Sequence, residues 1–257
     1  KSAGYLKFLA DSGYVSIFSK KVYRDPIGDP VATDKPLTLT DSQQAVVAEI
    51  MAAVGKGFAT YLLAGVTGSG KTEVYLRLTR AALGKKMQVL VLVPEIGLIS
   101  QTERRFRARF GERVAVLHSG LSRGERYDQW LKIVNGGAAI AIGARSCIFA
   151  PFTDVGLIIV DEEHDSSYKQ ESGLRYNARD LAVVRGRHHK ALVILGSATP
   201  SVQSWHNVTI GKYGLARLSQ RINRQPLPEI QTVDLSLFRD ERGIQRYITP
   251  QLQKEIR

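Results

Sequence analysis

The stretch "YLLAGVTGSGKTEVYLRL", residues 61–78, decides how the rest of the chain is read. An apolar run ends in a glycine-rich turn, and a pattern with helical spacing begins directly after it. Gly65 to Thr72 matches G-x-x-x-x-G-K-[ST] in the strand–turn–helix context that the pattern requires. Its glycines let backbone N–H groups curl around phosphate oxygens, and the helix N-terminus adds its partial positive charge. Gly65, Thr67, Gly68, Ser69 and Gly70 would form the cradle, Lys71 would reach the β- and γ-phosphates, and Thr72 would ligate magnesium. A glycine-rich turn beside an ordinary lysine is the plainer alternative, and the flanking strand and helix argue against it.

Outward from this turn, short apolar runs alternate with amphipathic stretches. The runs are "QVLVLVP" (88–94), "VAVLH" (114–118), "AIAIG" (139–143), "VGLIIVDE" (155–162) and "ALVILGS" (191–197). Helical patterns fall at Glu73–Leu83, Ile96–Phe110 and Arg123–Val134, and Thr40 or Asp41 is placed to cap a helix starting in "LTDSQQAVVAEIMAAV". Continuous apolar strands joined by helical crossovers predict an α/β fold whose parallel sheet is covered on both faces.

"LIIVDEEH", residues 157–164, supplies a second half for the phosphate site. An acid at the end of a buried strand stands at the carboxyl edge of the sheet, where ligands of open α/β sheets bind. Asp161 would hold the magnesium, and Glu162 would orient and deprotonate an attacking water. The residues that follow, "DSSYKQESGLRYNARD" (165–180), break into a basic and aromatic loop with no regular alternation before about Asn177.

The net charge of +12, from 36 basic and 24 acidic residues, points to a polyanionic partner, and ten of the basic residues lie between Ser166 and Arg224 against two acids. A second basic cluster, "RRFRAR" (104–109), falls on a helical pattern where Phe106 and Phe110 face inward and the arginines form a solvated face. No run approaches the ~18 apolar residues of a membrane span. The single Cys147 leaves no internal disulfide or multi-cysteine zinc site, and fits a reducing cytosol.

The ends read differently from the centre. Residues 1–25 suggest a helix, a turn at Gly13 and a strand in "VSIFSKKVY"; residues 26–36 read as a linker broken by Pro26, Pro30 and Pro36. Near the other end Thr249 would cap a helix with Pro250 in its first position. A start on Lys1 and so short a final helix suggest a piece of a longer protein.

"GVTGSGKTEVY", "LVPEIGL", "GARS", "VDEEH" and "GSATPS" occur in the order and spacing of superfamily 2 helicase motifs I, Ia, Ib, II and III. With the "PEIGL" form of motif Ia and "DEEHDSSYKQ", the chain most resembles the bacterial primosomal replication-restart DNA helicases, from about Leu37 to Asp234. It departs from DEAD-box RNA helicases, whose second motif would read Asp-Glu-Ala-Asp. The resemblance implies a RecA-like P-loop NTPase lobe over residues 37–234, a winged-helix remnant over 1–25, and a connection toward a second lobe over 235–257. It implies ATP and Mg2+ as ligands, with zinc only in a part of the protein beyond this chain.

Further roles are carried over by resemblance alone. Gln43 of "LTDSQ" would read adenine, and His164 with "GSAT" (196–199) would link the nucleotide site to the DNA track. Arg145 and Ser146 of "GARS" would contact the DNA backbone. In the loop after motif II, Tyr168 and Tyr176 would stack on bases and Lys169, Arg175 and Arg179 would meet phosphates, the alternative being a solvated loop with its tyrosines packed on the domain; the chain has Leu174 where the family carries another aromatic. The implied activity is ATP-dependent 3′-to-5′ unwinding of DNA at stalled forks by a bacterial cytoplasmic, nucleoid-associated monomer. Single-stranded and forked DNA, single-stranded DNA-binding protein and primosome proteins are its implied partners. Arginines of a second lobe would complete the site, so this stretch alone would bind MgATP and turn it over slowly or not at all. The alternatives are another superfamily 2 DNA translocase, of fork-remodelling or restriction type, and a nucleotide-gated DNA-binding module without turnover.

Overall fold

The computed structural model describes residues 2–18, 24, 31–222, 232–235 and 248–255. The chain forms two compact units, Lys1–Asn223 and Arg224–Arg257.

In the first unit, helix α1 (Ser2–Asp11) forms as the N-terminal pattern predicts. The strand expected next does not form over residues 15–18, and its remainder lies outside the described residues. Val15, Ile17 and Phe18 are exposed. Helix α2 (Asp41–Met51) starts from a reciprocal cap: Thr40 Oγ1 accepts the Gln43 N–H at 3.3 Å, and Gln43 Oε1 accepts the Thr40 N–H at 3.0 Å.

From there strand and helix alternate: β1 (Ala59–Gly65), α3 (Lys71–Gly84), β2 (Gln88–Leu92), α4 (Ile96–Phe110), β3 (Val114–Leu117), α5 (Arg123–Val134) and β4 (Ile140–Gly143). After β5 (Val155–Val160), a two-strand antiparallel ribbon, β6 (Lys169–Gln170) and β7 (Tyr176–Asn177), interrupts the alternation. It resumes with α6 (Ala178–His189), β8 (Leu192–Ser197), α7 (Val202–Thr209) and β9 (Gly214–Leu218).

Seven strands form one sheet in the order β3-β4-β2-β5-β8-β1-β9, and every pairing in it is parallel. Alternate side chains of each strand enter two separate cores, which is why the strands read as unbroken apolar runs. Val91, Ile142, Ile159 and Ile194 pack with α2, α3 and α4, while Leu92, Ala141, Ile158 and Val193 pack with α5 and α6. Strand β9 escaped the sequence reading because it is an edge strand with a single neighbour and an exposed Arg217 one residue before its end. The "RRFRAR" arginines are only partly a solvated face. Phe106 and Phe110 do turn inward, but the Arg109 side chain is enclosed against Glu73 at 3.1 Å, and the buried Arg107 pairs with Glu103 at 2.9 Å. No described helix is long and apolar enough to cross a membrane.

In the second unit, Thr249 Oγ1 accepts the Leu252 N–H at 3.2 Å and opens helix α8 (Pro250–Glu255) at the proline, as the sequence suggests.

Gly143 closes β4 against β3. A Cβ there would overlap the Leu117 carbonyl oxygen and press on Cys147 Cβ at 2.9 Å. Backbone cannot yield as a flexible side chain does, so Gly143→Ala is expected to cost about 1–3 kcal/mol. Urea unfolding should show a lower midpoint at constant m-value; an unchanged midpoint would mean that β3 and β4 are not packed this closely.

Candidate nucleotide site and nucleic-acid interface

All the parallel strands end on one edge of the sheet, and β1 delivers the glycine turn to it. Gly68 and Gly70 have φ of 80° and 83°, left-handed values that favour glycine. The Ser69 N–H donates to the Val66 carbonyl at 3.0 Å and closes the turn. Residues 66–72 border a cavity of about 480 Å³ that Arg105, Asp161 and Glu162 also line. Ser69 Oγ is buried with no hydrogen-bond partner among the described residues. An orphaned hydroxyl among glycine N–H groups at a helix start suits a phosphate, so the residues present fit a nucleotide. Lys71 Nζ donates to the Gly65 carbonyl at 2.8 Å and stands 3.6 Å from Glu162 Oε1. The lysine therefore lies folded across its own loop, beside the carboxylate expected to activate water. Thr72 Oγ1 accepts from Arg105 Nη1 at 3.3 Å.

The acids of motif II leave β5 in different directions. Glu162 has φ of 44°, a left-handed conformation in a residue that has a Cβ. Strain of this kind persists only where the surroundings impose it. Asp161 and Glu162 face the cavity, and Glu163 turns beneath the sheet edge, its N–H donating to the Gly196 carbonyl at 2.9 Å. Asp161 Oδ1 accepts from the Tyr75 hydroxyl at 2.9 Å. Burial raises the Asp161 carboxyl above its ordinary range, and the Tyr75 bond offsets part of that rise. Gly196 makes room for the contact, since a Cβ there would overlap the Tyr75 hydroxyl.

His164 stands 3.7 Å from Glu162 through Nδ1, which also lies 2.8 Å from Ser197 Oγ, while Nε2 lies 3.3 Å from Thr199 Oγ1. The structure thus brings His164 and "GSAT" together beside the catalytic candidates. Glu163, to which the sequence reading gave no role, is fully enclosed. It accepts from the Ser201 N–H at 2.7 Å, from Ser201 Oγ at 3.0 Å and from Ser204 Oγ at 2.8 Å, all at the start of α7.

Three expected roles need correction. Tyr168 is only 1% exposed and its hydroxyl donates to the Asp161 carbonyl at 2.6 Å. The ring cannot stack on a base because it packs in the core between β5 and α6; burial and the Asp161 carboxylate also hold its hydroxyl well above the usual phenol range, so it stays a donor. Arg179 does not await a phosphate: it is buried and divides its donors among Glu163 (3.3 Å), Asp180, Ser201 and Gln203. Gln43 is 3% exposed, and its amide is engaged at both ends, by Thr40 and by the Ser69 carbonyl at 3.1 Å. Here it braces the phosphate loop from behind rather than presenting an edge to a base.

The remaining loop residues are accessible. Ser146, Lys169 and Arg175 are exposed, with Lys169 3.1 Å from Glu171. Tyr176 is half-buried and meets Phe149 edge-on, centroids 5.2 Å apart; half of Phe149 is exposed, and no motif had singled it out. Arg145 Nη1 donates to the carbonyls of Ser167 (3.3 Å) and Lys169 (3.1 Å), and Ser167 Oγ donates to the Pro94 carbonyl at 2.9 Å. Motifs Ia, Ib and II are therefore joined through the backbone of this loop. Tyr75 was missed as well, although it lies at i+4 from Lys71 on the same helix, a spacing that puts both on one face.

A family model described as DEAD/DEAH box helicase matches residues 40–208. Among curated proteins the chain is similar to Replication restart protein PriA of Bacillus subtilis, 46% identical over 91% of this chain and 29% of that protein. It is likewise similar to the PriA of Haemophilus influenzae, 38% identical over 100% of this chain and 34% of that protein. The chain spans about a third of the length of these relatives. Among solved structures, RecG bound to a three-way DNA junction superposes with a TM-score of 0.55 at 25% identity, over 72% of this chain and 24% of that one.

The burial of Tyr168 gives a test. Tyr168→Ala is expected to destabilise the fold by about 3–5 kcal/mol, as core aromatic deletions do. Tyr168→Phe, which keeps the packing and loses the bond to Asp161, should cost only about 1 kcal/mol. Unfolding midpoints decide: a Tyr168→Ala chain as stable as the parent would return the ring to the surface and to base stacking.

Proposed function

The chain belongs to the DEAD/DEAH box helicase family, and on that premise we propose that it is the ATP-binding first lobe of a DNA helicase of replication restart. The observation that carries this reading is the meeting of Lys71, Thr72, Asp161 and Glu162 around one cavity at the carboxyl ends of β1 and β5. Magnesium, held by Thr72 and Asp161, would neutralise charge on the β- and γ-phosphates. Lys71 would leave the Gly65 carbonyl for γ-phosphoryl oxygens. Glu162 would accept a proton from water as the water oxygen bonds to the γ-phosphorus and the bond to the β,γ-bridging oxygen breaks. Tyr75 would hold Asp161, and Gln43 would hold the loop that Lys71 ends.

DNA would run over motifs Ia and Ib, with Arg145, Ser146, Lys169, Arg175 and the Tyr176–Phe149 pair as its contacts. Because Arg145 and Ser167 grip the loop whose Tyr168 supports Asp161, a strand that moves the loop would move the catalytic acids. In this reading the first 25 residues are a winged-helix remnant, and the protein works at forked DNA with single-stranded DNA-binding and primosome proteins in the bacterial cytoplasm. Movement is 3′-to-5′, and this stretch alone binds MgATP with slow turnover, because a transition-state arginine from elsewhere can be worth on the order of 10³–10⁵ in rate. The likeness to RecG supports a second reading, a fork-remodelling translocase. Identities of 46% and 38% to the restart proteins against 25% rank it behind.

Assayed at the full length of the relatives, ATP hydrolysis should rise with single-stranded DNA. Glu162→Gln should lower kcat by roughly 10²–10⁴ with little change in nucleotide affinity. Turnover that survives Glu162→Gln, or that ignores DNA, would contradict the assignment.

A further inference from the structure

Helix α5 presents a face that the nucleotide site does not use. Gln129, Lys132 and Ile133 turn inward, Gln129 Oε1 accepting the Val116 N–H at 3.1 Å. The outer face carries Arg123, Arg126, Tyr127 and Trp130, which line an open groove of about 430 Å³. Tyr127 is 63% exposed and Trp130 is 42% exposed. Positions 123, 127 and 130 fall at i, i+4 and i+7, and 126 lies at i−4 from 130, so two cations and two aromatic rings share one stripe. Rings of this size standing in water on one stripe mark a contact surface.

The local acids do not neutralise the stripe. Glu125 is turned back onto the helix start, accepting the Ser122 N–H at 2.8 Å, and Asp128 accepts the Arg24 N–H at 3.1 Å and lies 3.7 Å from its guanidinium. Among the described residues neither Arg123 nor Arg126 forms an ion pair with a carboxylate; Arg126 donates to the Leu121 carbonyl at 3.3 Å. Arginine with tyrosine and tryptophan is the chemistry of single-stranded nucleic acid, cations for the backbone and flat faces for the bases.

Topology aligns this face with the proposed DNA track. Along the carboxyl edge of the sheet, β5 ends in Asp161, β2 leads into "PEIGL", β4 leads into Arg145, and β3, the outermost strand, leads into α5. From β5 to β3 is three strand spacings, roughly 15 Å. A strand passing over motifs Ia and Ib away from the nucleotide site therefore arrives at α5. We infer that Arg123, Arg126, Tyr127 and Trp130 form a second binding surface for single-stranded DNA, a stacking platform where the strand crosses the sheet edge. This rests on the DNA-translocase reading above.

The test is fluorescence anisotropy of a labelled oligo-dT strand with this chain, across a salt series. Tyr127→Ala with Trp130→Ala should weaken binding about tenfold or more, since each stacked ring contributes severalfold or more. Trp130→Phe, which keeps a flat face, should stay within about threefold of the parent. Arg123→Gln with Arg126→Gln should reduce the slope of log affinity against log salt by roughly 1.4, about 0.7 for each phosphate that is no longer neutralised. MgADP affinity should be unchanged in every variant, which separates weakened DNA binding from a damaged fold. If both double variants bind DNA within about twofold of the parent, the platform is overturned while the DNA reading stands; such variants failing to hold a protein partner instead would show that the face docks protein. A parent chain with no affinity for the strand would overturn the DNA reading itself.

Discussion

Four consecutive residues leave the end of β5 in three directions, with a left-handed backbone at Glu162. Asp161 and Glu162 stay at the cavity, Glu163 goes under the sheet edge, and His164 crosses to Ser197 and Thr199. Continuing the extended strand would send neighbouring side chains to opposite faces and would separate the two adjacent acids. The strained position is held from both sides. Glu163 is locked by the start of α7, and Tyr168 pins the Asp161 carbonyl from below. Motif II is thus a corner whose geometry depends on α6, α7 and the following loop, none of which lines the nucleotide cavity.

That dependence gives the loop after motif II a mechanical meaning different from the one its composition suggests. Its first tyrosine is internal structure, its second is half-exposed beside Phe149, and its backbone carbonyls are held by Arg145. The exposed tip is joined to Asp161 by one short segment, residues 165–168, which ends in the Tyr168 bond to the Asp161 carbonyl. The opposite wall of the cavity is braced in a comparable way, by Gln43 against the phosphate loop and by Tyr75 against Asp161. Two residues outside the phosphate-binding pattern therefore set where the lysine and the acid sit.

Much of the fold was legible in the sequence because its signals are local and strong. Apolar runs at 88–94, 139–143 and 155–162, short and rich in β-branched residues, read as buried strands, and the starts of α4 and α5 fell at Ile96 and Arg123 as their periodicity indicated. Edge strand β9 was not legible, since its half-buried first residues and an exposed arginine next to its end interrupt the apolar run. At the site, the meeting of Lys71, Thr72, Asp161 and Glu162 on one cavity was legible because the motifs that carry them have a fixed spacing and end buried strands. Tyr168, Arg179 and Gln43 were misread for one shared reason. Residue type says what a side chain offers, while burial decides whether solvent or DNA can reach it. Burial here comes from partners distant in sequence, such as Glu163 for Arg179 and Ser69 for Gln43. Glu163 itself was invisible beside two functional acids of the same kind.

Everything else rests on residues 65–72 and 161–162 forming one magnesium-nucleotide site. Calorimetric titration of this chain with MgADP, beside Lys71→Ala and beside ADP with the magnesium chelated, tests it most directly. The parent should show a saturable single site, weakened at least tenfold both by Lys71→Ala and by removal of magnesium, since each deletes a charge-assisted interaction with phosphate. Equal affinity in all three titrations would mean that the nucleotide, if it binds, is held elsewhere, and the reading of this cavity would be wrong.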